Sequence, residues 1–469
     1  MLCLPAEVVF HISTFLPVED RLQLRHCSRW MNEVILSGTT NPIHFEIQKG
    51  DILKTVLQRK NVFITGAGGV GKTVVMNALY RAAEARGLNI VTLAPTQMAA
   101  EHIPNGRTVH SFLHIKRTLS ATALEEILRK YDTSGRSYPI RRVDLIMIDE
   151  VSMLGASLIH CMNRLIQHAW RTNVPFGGAQ VVLSGDFCQL PPVCDKFCFT
   201  SPVWKQLQLE TFELTVPLRH GGDFQWFHNL QDIRQGRVAS LGDSPVQSRI
   251  CLDMDKLLQS YDKRPVILSS DNKVVEDINR AELAKNPNPV EDTLHAYDSF
   301  YHVTTVSGVK SFTATTCPSG VNLDTFWRCP RQIDLKKDGR YICTMNLNKK
   351  NGLINGRACT YRGEGMIMLD NGTMVGLSEF FTCFNYMIGG DVLLRRQTVA
   401  LRLGYAITIH KSQGMTLDKV VCDLRKIRCA GMAYVALSRV RYMDDIYLVN
   451  TTSKTKVPVS KQVLDFYSY

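Results

Sequence analysis

Apolar residues along this chain fall into two patterns. Short continuous runs, Val62 to Ile64, Leu145 to Ile148 and Val181 to Leu183, predict strands buried on both faces, as in a parallel sheet. After the first run, Met76, Leu79, Ala82 and Ala83 recur at helical spacing, and Gly87 suits a C-cap. "DFQWFHNLQDIRQG" predicts an amphipathic helix ended by Gly236, and "RPVILSSDNKVVEDINR" a strand followed by a helix. Strands alternating with helices predict an α/β fold. Residues 296–400 break the pattern with short alternating runs rich in Gly and Thr, and "LDNGTM" is a hairpin turn signal. They predict a small antiparallel β insertion, after which "RLGYAITIHKSQG" returns to the first pattern. At the front, Val8, Val9, Ile12 and Phe15 share one helical face, and Leu22, Leu24 and Cys27 lie on a second helix.

The polar residues that end the apolar runs carry the chemistry. "GAGGVGKT", comprising Gly66, Ala67, Gly68, Gly69, Val70, Gly71, Lys72 and Thr73, has the phosphate-loop spacing between a strand and a helix. Its glycines let backbone N–H groups crowd a polyphosphate, and the helix N-terminus adds positive potential. Lys72 would neutralise the β and γ phosphates of ATP, and Thr73 would ligate Mg2+. In "LIMIDE" a strand ends in two acids. Asp149 would hold Mg2+, directly or through water, and Glu150 would polarise the attacking water. In "QVVLSGDFCQLPPV" the double proline stops a strand, leaving Asp186 and Gln189 at the sheet edge where open α/β sheets bind ligands. Gln48, upstream of the loop, could read an adenine edge.

Composition narrows the class. At 469 residues two or three domains are expected, and there is no run of 18 apolar residues to span a membrane. The start lacks the basic, apolar, then small-residue order of a secretory leader. The 14 cysteines are scattered with no C-x-x-C pair, which suits free thiols in a reducing compartment. Net charge is +12, and residues 301–469 hold 23 basic against 12 acidic residues. A basic half points to a polyanion partner, most simply nucleic acid.

"GAGGVGKT", "LAPTQMAA", "GRTVHSF", "DEVSM", "PFGGAQVVLSGDFCQLPPV", "YAITIHKSQGMTLDKV" and "AYVALSRV" follow in this order. Together they resemble the motif set of the PIF-type helicases, allied to RecD in the B branch of helicase superfamily 1, from about Gln48 to Leu448. The resemblance implies two RecA-like domains and an ATP-dependent DNA helicase moving 5′ to 3′ on single strands in replication, repair or recombination. It makes Asp186 and Gln189 a sensor motif between the γ-phosphate and the DNA. Arg219 and Arg439 become arginines reaching that phosphate, and Gln413 a nucleotide sensor. It aligns Thr96, His110, Phe112, His410, Lys411, Ser412 and Thr416 with the single-strand channel; His110 and Phe112 are equally readable as core residues. Two positions depart: His220 stands where the family usually has glutamine, and Met98 where a basic residue is frequent.

On this reading residues 41–215 form the first RecA-like domain, with a small insert near 106–140. Residues 216–295 and 401–451 form the second, around the insertion, and 452–469 a short tail. Residues 1–40 resemble an F-box, through the leading "LP", then "FLP", "DRLQLR" and "SRWMN". That implies a Skp-type adaptor as partner and, as an alternative function, a substrate receptor of a cullin ubiquitin ligase; a helical hairpin packed on the motor is the plainer reading. An F-box places the chain in a eukaryotic nucleus or a viral replication compartment. The expected nucleic-acid partners are single-stranded DNA and DNA junctions, with an RNA-directed motor as a further reading.

Overall fold

The computed structural model describes residues 42–115, 121–133, 140–220, 223–251, 265–306, 309–319, 330–348, 351–388 and 391–468. The F-box-like segment lies outside the described residues. The chain divides into two compact units, residues 1–254 with 412–469, and residues 255–411.

The first unit is built on a six-stranded sheet. Helix α1 (Pro42–Leu57) leads into β1 (Val62–Thr65), the phosphate loop and α2 (Lys72–Glu84). Then come β2 (Ile90–Ala94), β3 (Arg107–Thr108), β4 (Leu145–Ile148), α3 (Ala156–Trp170), β5 (Gln180–Ser184), β6 (Glu210–Glu213) and α4 (Phe224–Arg234). The order is β3-β2-β4-β5-β1-β6, with every pair parallel. The continuous apolar runs are explained by two cores, one on each face. Phe63, Ile146, Ile148, Val181 and Leu183 point into one; Val62, Ile64, Leu145, Met147 and Val182 point into the other. Successive side chains of a strand alternate faces, so a sheet covered on both sides needs apolar residues at every position.

The second unit opens with β7 (Val266–Ser269) and α5 (Asn272–Lys285) and is otherwise antiparallel, from β8 (Val290–His295) to β18 (Leu401–Leu403). One sheet has four strands, including a hairpin of β9 (Tyr297–Val306) and β10 (Val309–Thr315). A second has five, among them β14 (Met366–Leu369) and β15 (Met374–Gly376). These two are joined through Asn371 and Gly372, whose φ of +85° only glycine adopts without strain. The chain then re-pairs in parallel, β19 (Ala406–Thr408) against β7. Asn279 of α5 fixes this return: its side chain donates to Ala406 O at 3.1 Å and accepts from Ala406 N at 2.8 Å. A cavity of about 1050 Å3 lies within this unit, lined by Arg280, Arg331, Lys336, Arg402 and Lys411 among others.

The chain returns to the first unit with β20 (Val420–Asp423), α6 (Met432–Leu437) and β21 (Ile446–Val449), the two strands pairing in parallel. The segment expected to be a tail instead ends in helix α7 (Lys461–Tyr467). Its Val463 is buried in the sheet core, and Phe466 stacks on Phe199 with centroids 4.4 Å apart. Among the described cysteines, Cys161, Cys188, Cys198, Cys343, Cys359 and Cys422 are buried, whereas Cys194, Cys317 and Cys383 are exposed. No described helix is long and apolar enough to cross a membrane.

Candidate nucleotide site and strand-contact residues

Strands β4, β5 and β1 are neighbours running in one direction, so their carboxyl ends share one edge. Each ends in one of the polar groups singled out above, and this is the edge where parallel sheets bind ligands. The phosphate loop leaves β1 and Gly71 caps α2 at φ +89°, a left-handed conformation that favours glycine. Lys72 opens α2 and is 8% exposed. Its ammonium donates to Gly66 O at 2.7 Å and Ala67 O at 2.9 Å. Burial lowers its pKa, against the opposing charges of Asp186, Glu150 and Asp149.

Asp149 is fixed at both oxygens. Oδ2 accepts from the Thr73 hydroxyl at 3.1 Å and Oδ1 from Glu150 N–H at 2.8 Å. A hydroxyl beside a carboxylate, at the foot of an anion-binding loop, is a hard-oxygen donor set that fits Mg2+. Glu150 takes φ +54°, ψ +44°, which costs an L-residue about 1–2 kcal/mol and is found where surrounding structure enforces it. Burial first, then Asp149, raises its pKa; Lys72 and a hydrogen bond from Gln413 act the other way. Gln413 Nε2 donates to Glu150 Oε2 at 3.1 Å and Ser152 Oγ at 3.0 Å. Gln413 Oε1 is buried with no protein donor, leaving an acceptor beside the acid.

Positive charge gathers on the other side of the loop. Arg219 N–H donates to Gly69 O at 2.9 Å, and its guanidinium to Ser438 O at 2.9 Å. Arg439 is 1% exposed and donates to Val435 O, Ser412 O, Met415 O and Ser438 Oγ at 2.7–3.2 Å. Burial, then Arg219, disfavours its charge, while Glu150 supports it. A β-carbon on Gly68 would lie 3.7 Å from Arg439 Nη2. The shown hydrogen bonds of both guanidiniums go to carbonyls and a hydroxyl rather than to carboxylates. Tyr434, missed by motif reading, places its hydroxyl 2.8 Å from Gly68 N, accepting from an N–H that a phosphate would use.

His220, the departure from the family's glutamine, is fully buried beside Gly69. Neither ring nitrogen has a well-formed hydrogen bond. Burial first, then Arg219, pushes its pKa down to about 4, with nearby Val440 backbone opposing weakly. The folded value lies below the unfolded one, about 6.5, so the unfolded chain binds the extra proton first as pH falls. Stability present above pH 6.5 is therefore lost towards pH 4, by about 2 kcal/mol at pH 5. His220→Gln is expected to lose that much less between pH 7.5 and 5.0 in urea denaturation. Equal losses in both proteins would remove His220 as the cause.

Asp186 and Gln189 are both buried at the end of β5. Asp186 does not stand free for a ligand. Arg234, the last residue of α4, binds it through Nε at 3.1 Å to both oxygens and Nη2 at 3.0 Å. The pair is deeply buried, and Asp186 drives the Arg234 pKa well up against the effect of burial. Gln189 lies under α6: a β-carbon on Gly431 would meet Gln189 O at 2.4 Å. Gln48 pairs with the end of β6 and the chain just after it, donating to Glu213 O at 3.2 Å and Thr215 Oγ1 at 3.4 Å.

The expected strand contacts divide. Thr96 caps the helix Gln97–Glu101 by accepting from Ala99 N–H at 3.2 Å, and His110 is half-buried. Lys411 and Thr416 are exposed and His410 is half-buried. Desolvation, then Arg402, brings the Lys411 pKa down to about 8. Phe112 is corrected: its ring is 6% exposed in the sheet core, with Arg107 5.9 Å from its centroid, and has no face left for a base. Ser412 is corrected likewise, being fully buried and bonded through its carbonyl to Arg439.

Comparison with known proteins agrees with this fold. Residues 48–241 match the PIF1-like helicase family. The ATP-dependent DNA helicase PIF1 of Danio rerio is 29% identical over 434 residues, covering 89% of this chain and 62% of that one. The chain thus spans under two thirds of the vertebrate relatives it matches. Pif1 helicase from Candida albicans superposes with a TM-score of 0.69 at 25% identity, covering 90% of this chain and 98% of that one. Pif1 from Bacteroides in complex with ADP-AlF3 and single-stranded DNA gives 0.65 at 25% identity, covering 89% and 95%. By its ordered motifs, its sheet and these matches, the chain is similar to the PIF1-like helicases over most of its length.

Proposed function

We propose that this chain is an ATP-dependent DNA helicase that translocates 5′ to 3′ along single-stranded DNA, in replication, repair or recombination. The observation that carries the reading is the charge around the phosphate loop. Lys72, Arg219 and Arg439 converge there, and their shown bonds go to carbonyls and a hydroxyl. Buried guanidiniums without a carboxylate partner suit a polyphosphate that supplies the missing negative charge. Thr73 and Asp149 would hold Mg2+, which when bound neutralises developing phosphate charge.

In this mechanism Glu150 orients and deprotonates the attacking water, with Gln413 holding the carboxylate and offering its own oxygen to that water. Lys72, Arg219 and Arg439 stabilise charge as it moves to the leaving oxygen. Nucleic acid is the polyanion that suits the second unit's cavity, where five basic residues outnumber Glu276 and Asp334, and the +12 net charge. Thr96, His110, His410, Lys411 and Thr416 are the contacts assigned to the strand. The Bacteroides relative, solved with single-stranded DNA, supports DNA over RNA.

The test is ATP hydrolysis by purified protein with and without single-stranded DNA, beside single-stranded RNA, followed by unwinding of substrates with 5′ or 3′ tails. Hydrolysis indifferent to nucleic acid, or unwinding only from a 3′ tail, overturns the proposal. The F-box-like order of residues 1–40 supports a Skp-type adaptor as a further partner and, with it, a nuclear or viral replication setting. Failure of the intact chain to bind such an adaptor removes both.

A further inference from the structure

We infer that Tyr467 is a positioning residue of the ATP site: its hydroxyl ties the strand end that enters the phosphate loop to the strand end that carries Asp186. The phenol oxygen lies 2.8 Å from Thr65 Oγ1 and accepts from Phe187 N–H at 3.1 Å. Thr65 is the last residue of β1 and precedes Gly66; Phe187 follows Asp186 directly. One oxygen thus bridges two adjacent strands at the point where both turn towards the nucleotide. A shift of either strand end against the other breaks a hydrogen bond.

The ring is held as firmly as the oxygen. The Arg234 guanidinium that grips Asp186 lies 5.4 Å from the Tyr467 ring centroid. Phe466 packs against Phe187 at 5.2 Å and Phe199 at 4.4 Å, and Val463 anchors the helix in the core. A tyrosine placed only to fill space does not need its hydroxyl bonded on both sides, whereas a buried hydroxyl with two partners fixes direction as well as volume. The tie makes loop and sensor strand respond to the γ-phosphate as one body, and Arg234 extends it to α4.

The inference rests on the ATPase reading, so its test has one arm that needs no activity. Tyr467→Phe removes the hydroxyl and keeps the ring. Hydrogen exchange of a peptide spanning residues 185–190 is expected to quicken about tenfold, because the Phe187 amide loses its acceptor. The kcat of DNA-stimulated ATP hydrolysis is expected to fall about tenfold, with KM for ATP within about twofold and the unfolding temperature nearly unchanged. Arg234→Lys, which keeps charge and loses the fork, is expected to reproduce the kcat loss. Unchanged exchange overturns the tie. Quickened exchange with wild-type kcat overturns the positioning role, leaving the hydroxyl merely structural. Wild-type protein that does not hydrolyse ATP overturns the functional reading and, with it, the positioning role, while the exchange arm still decides the tie.

Discussion

Lys72→Ala is expected to lower ATP hydrolysis by about 10^3-fold or more, the scale seen when one preorganised donor to developing charge is removed. The structure gives the variant a clean interpretation. The shown hydrogen bonds of the ammonium are to Gly66 O and Ala67 O, both within the loop that Lys72 closes. No core contact depends on the charge, and α2 retains Val75, Met76 and Leu79 in the apolar layer behind it. Alanine also favours the helix. Circular dichroism and the unfolding temperature should therefore stay close to wild type while turnover disappears. Binding of a fluorescent ATP analogue should weaken as well, since the ground-state phosphates lose the same counter-charge. Hydrolysis retained in a folded Lys72→Ala protein would falsify the assignment of this loop.

Glu150→Gln is expected to separate binding from chemistry. The amide keeps the size of the acid and can hydrogen-bond Gln413, but it cannot accept a proton from water. A loss of about 10^2–10^4-fold in kcat is the usual scale for a general base. ATP affinity should hold or improve, because the change removes a buried negative charge from beside the phosphates. Glu150 is also the residue with left-handed backbone at the end of β4, and glutamine there carries the same strain. A stability change is thus not expected to obscure the kinetic one. Loss of ATP binding together with kcat would instead place Glu150 in a structural role.

The nucleotide site was legible because its parts are local. The phosphate loop, the acid pair and the Asp186–Gln189 segment each occupy a few consecutive residues at a strand end, and the apolar runs before them announce the strands. The residues that escaped act over distance. Arg234 meets Asp186 across 48 positions, and Tyr467 meets Thr65 across 402. A trace of each was present. Arg234 closes a helix whose Trp226, Phe227, Leu230 and Ile233 are all buried, so a charge on that face needed a buried partner. The pair Phe466–Tyr467 put two aromatics where a solvated tail has little use for them. Phe112 shows the converse: a motif position gave it a role, but Val109 and Leu113 on either side draw that turn into the core. The β insertion was readable as strands from alternation and the Asn371–Gly372 turn. Its division into separate sheets was not, because pairing partners such as β9 and β17 (Val392–Val399) lie far apart in sequence.

The distribution of thiols makes the protein convenient to watch. Burial pushes Cys188 and Cys161 up to about 12 and raises Cys198, Cys359 and Cys422 as well, so at neutral pH these sulfurs are protonated and shielded. Cys194 is exposed, just past the double proline that follows Gln189. A maleimide dye there would sit on the strand-end loop, a few residues from Asp186 and Gln189. Cys317 and Cys383 offer exposed attachment points on the other unit. With the other exposed sulfurs among the described residues replaced by serine, a single dye at Cys194 would report the surroundings of that loop as ATP is added and consumed.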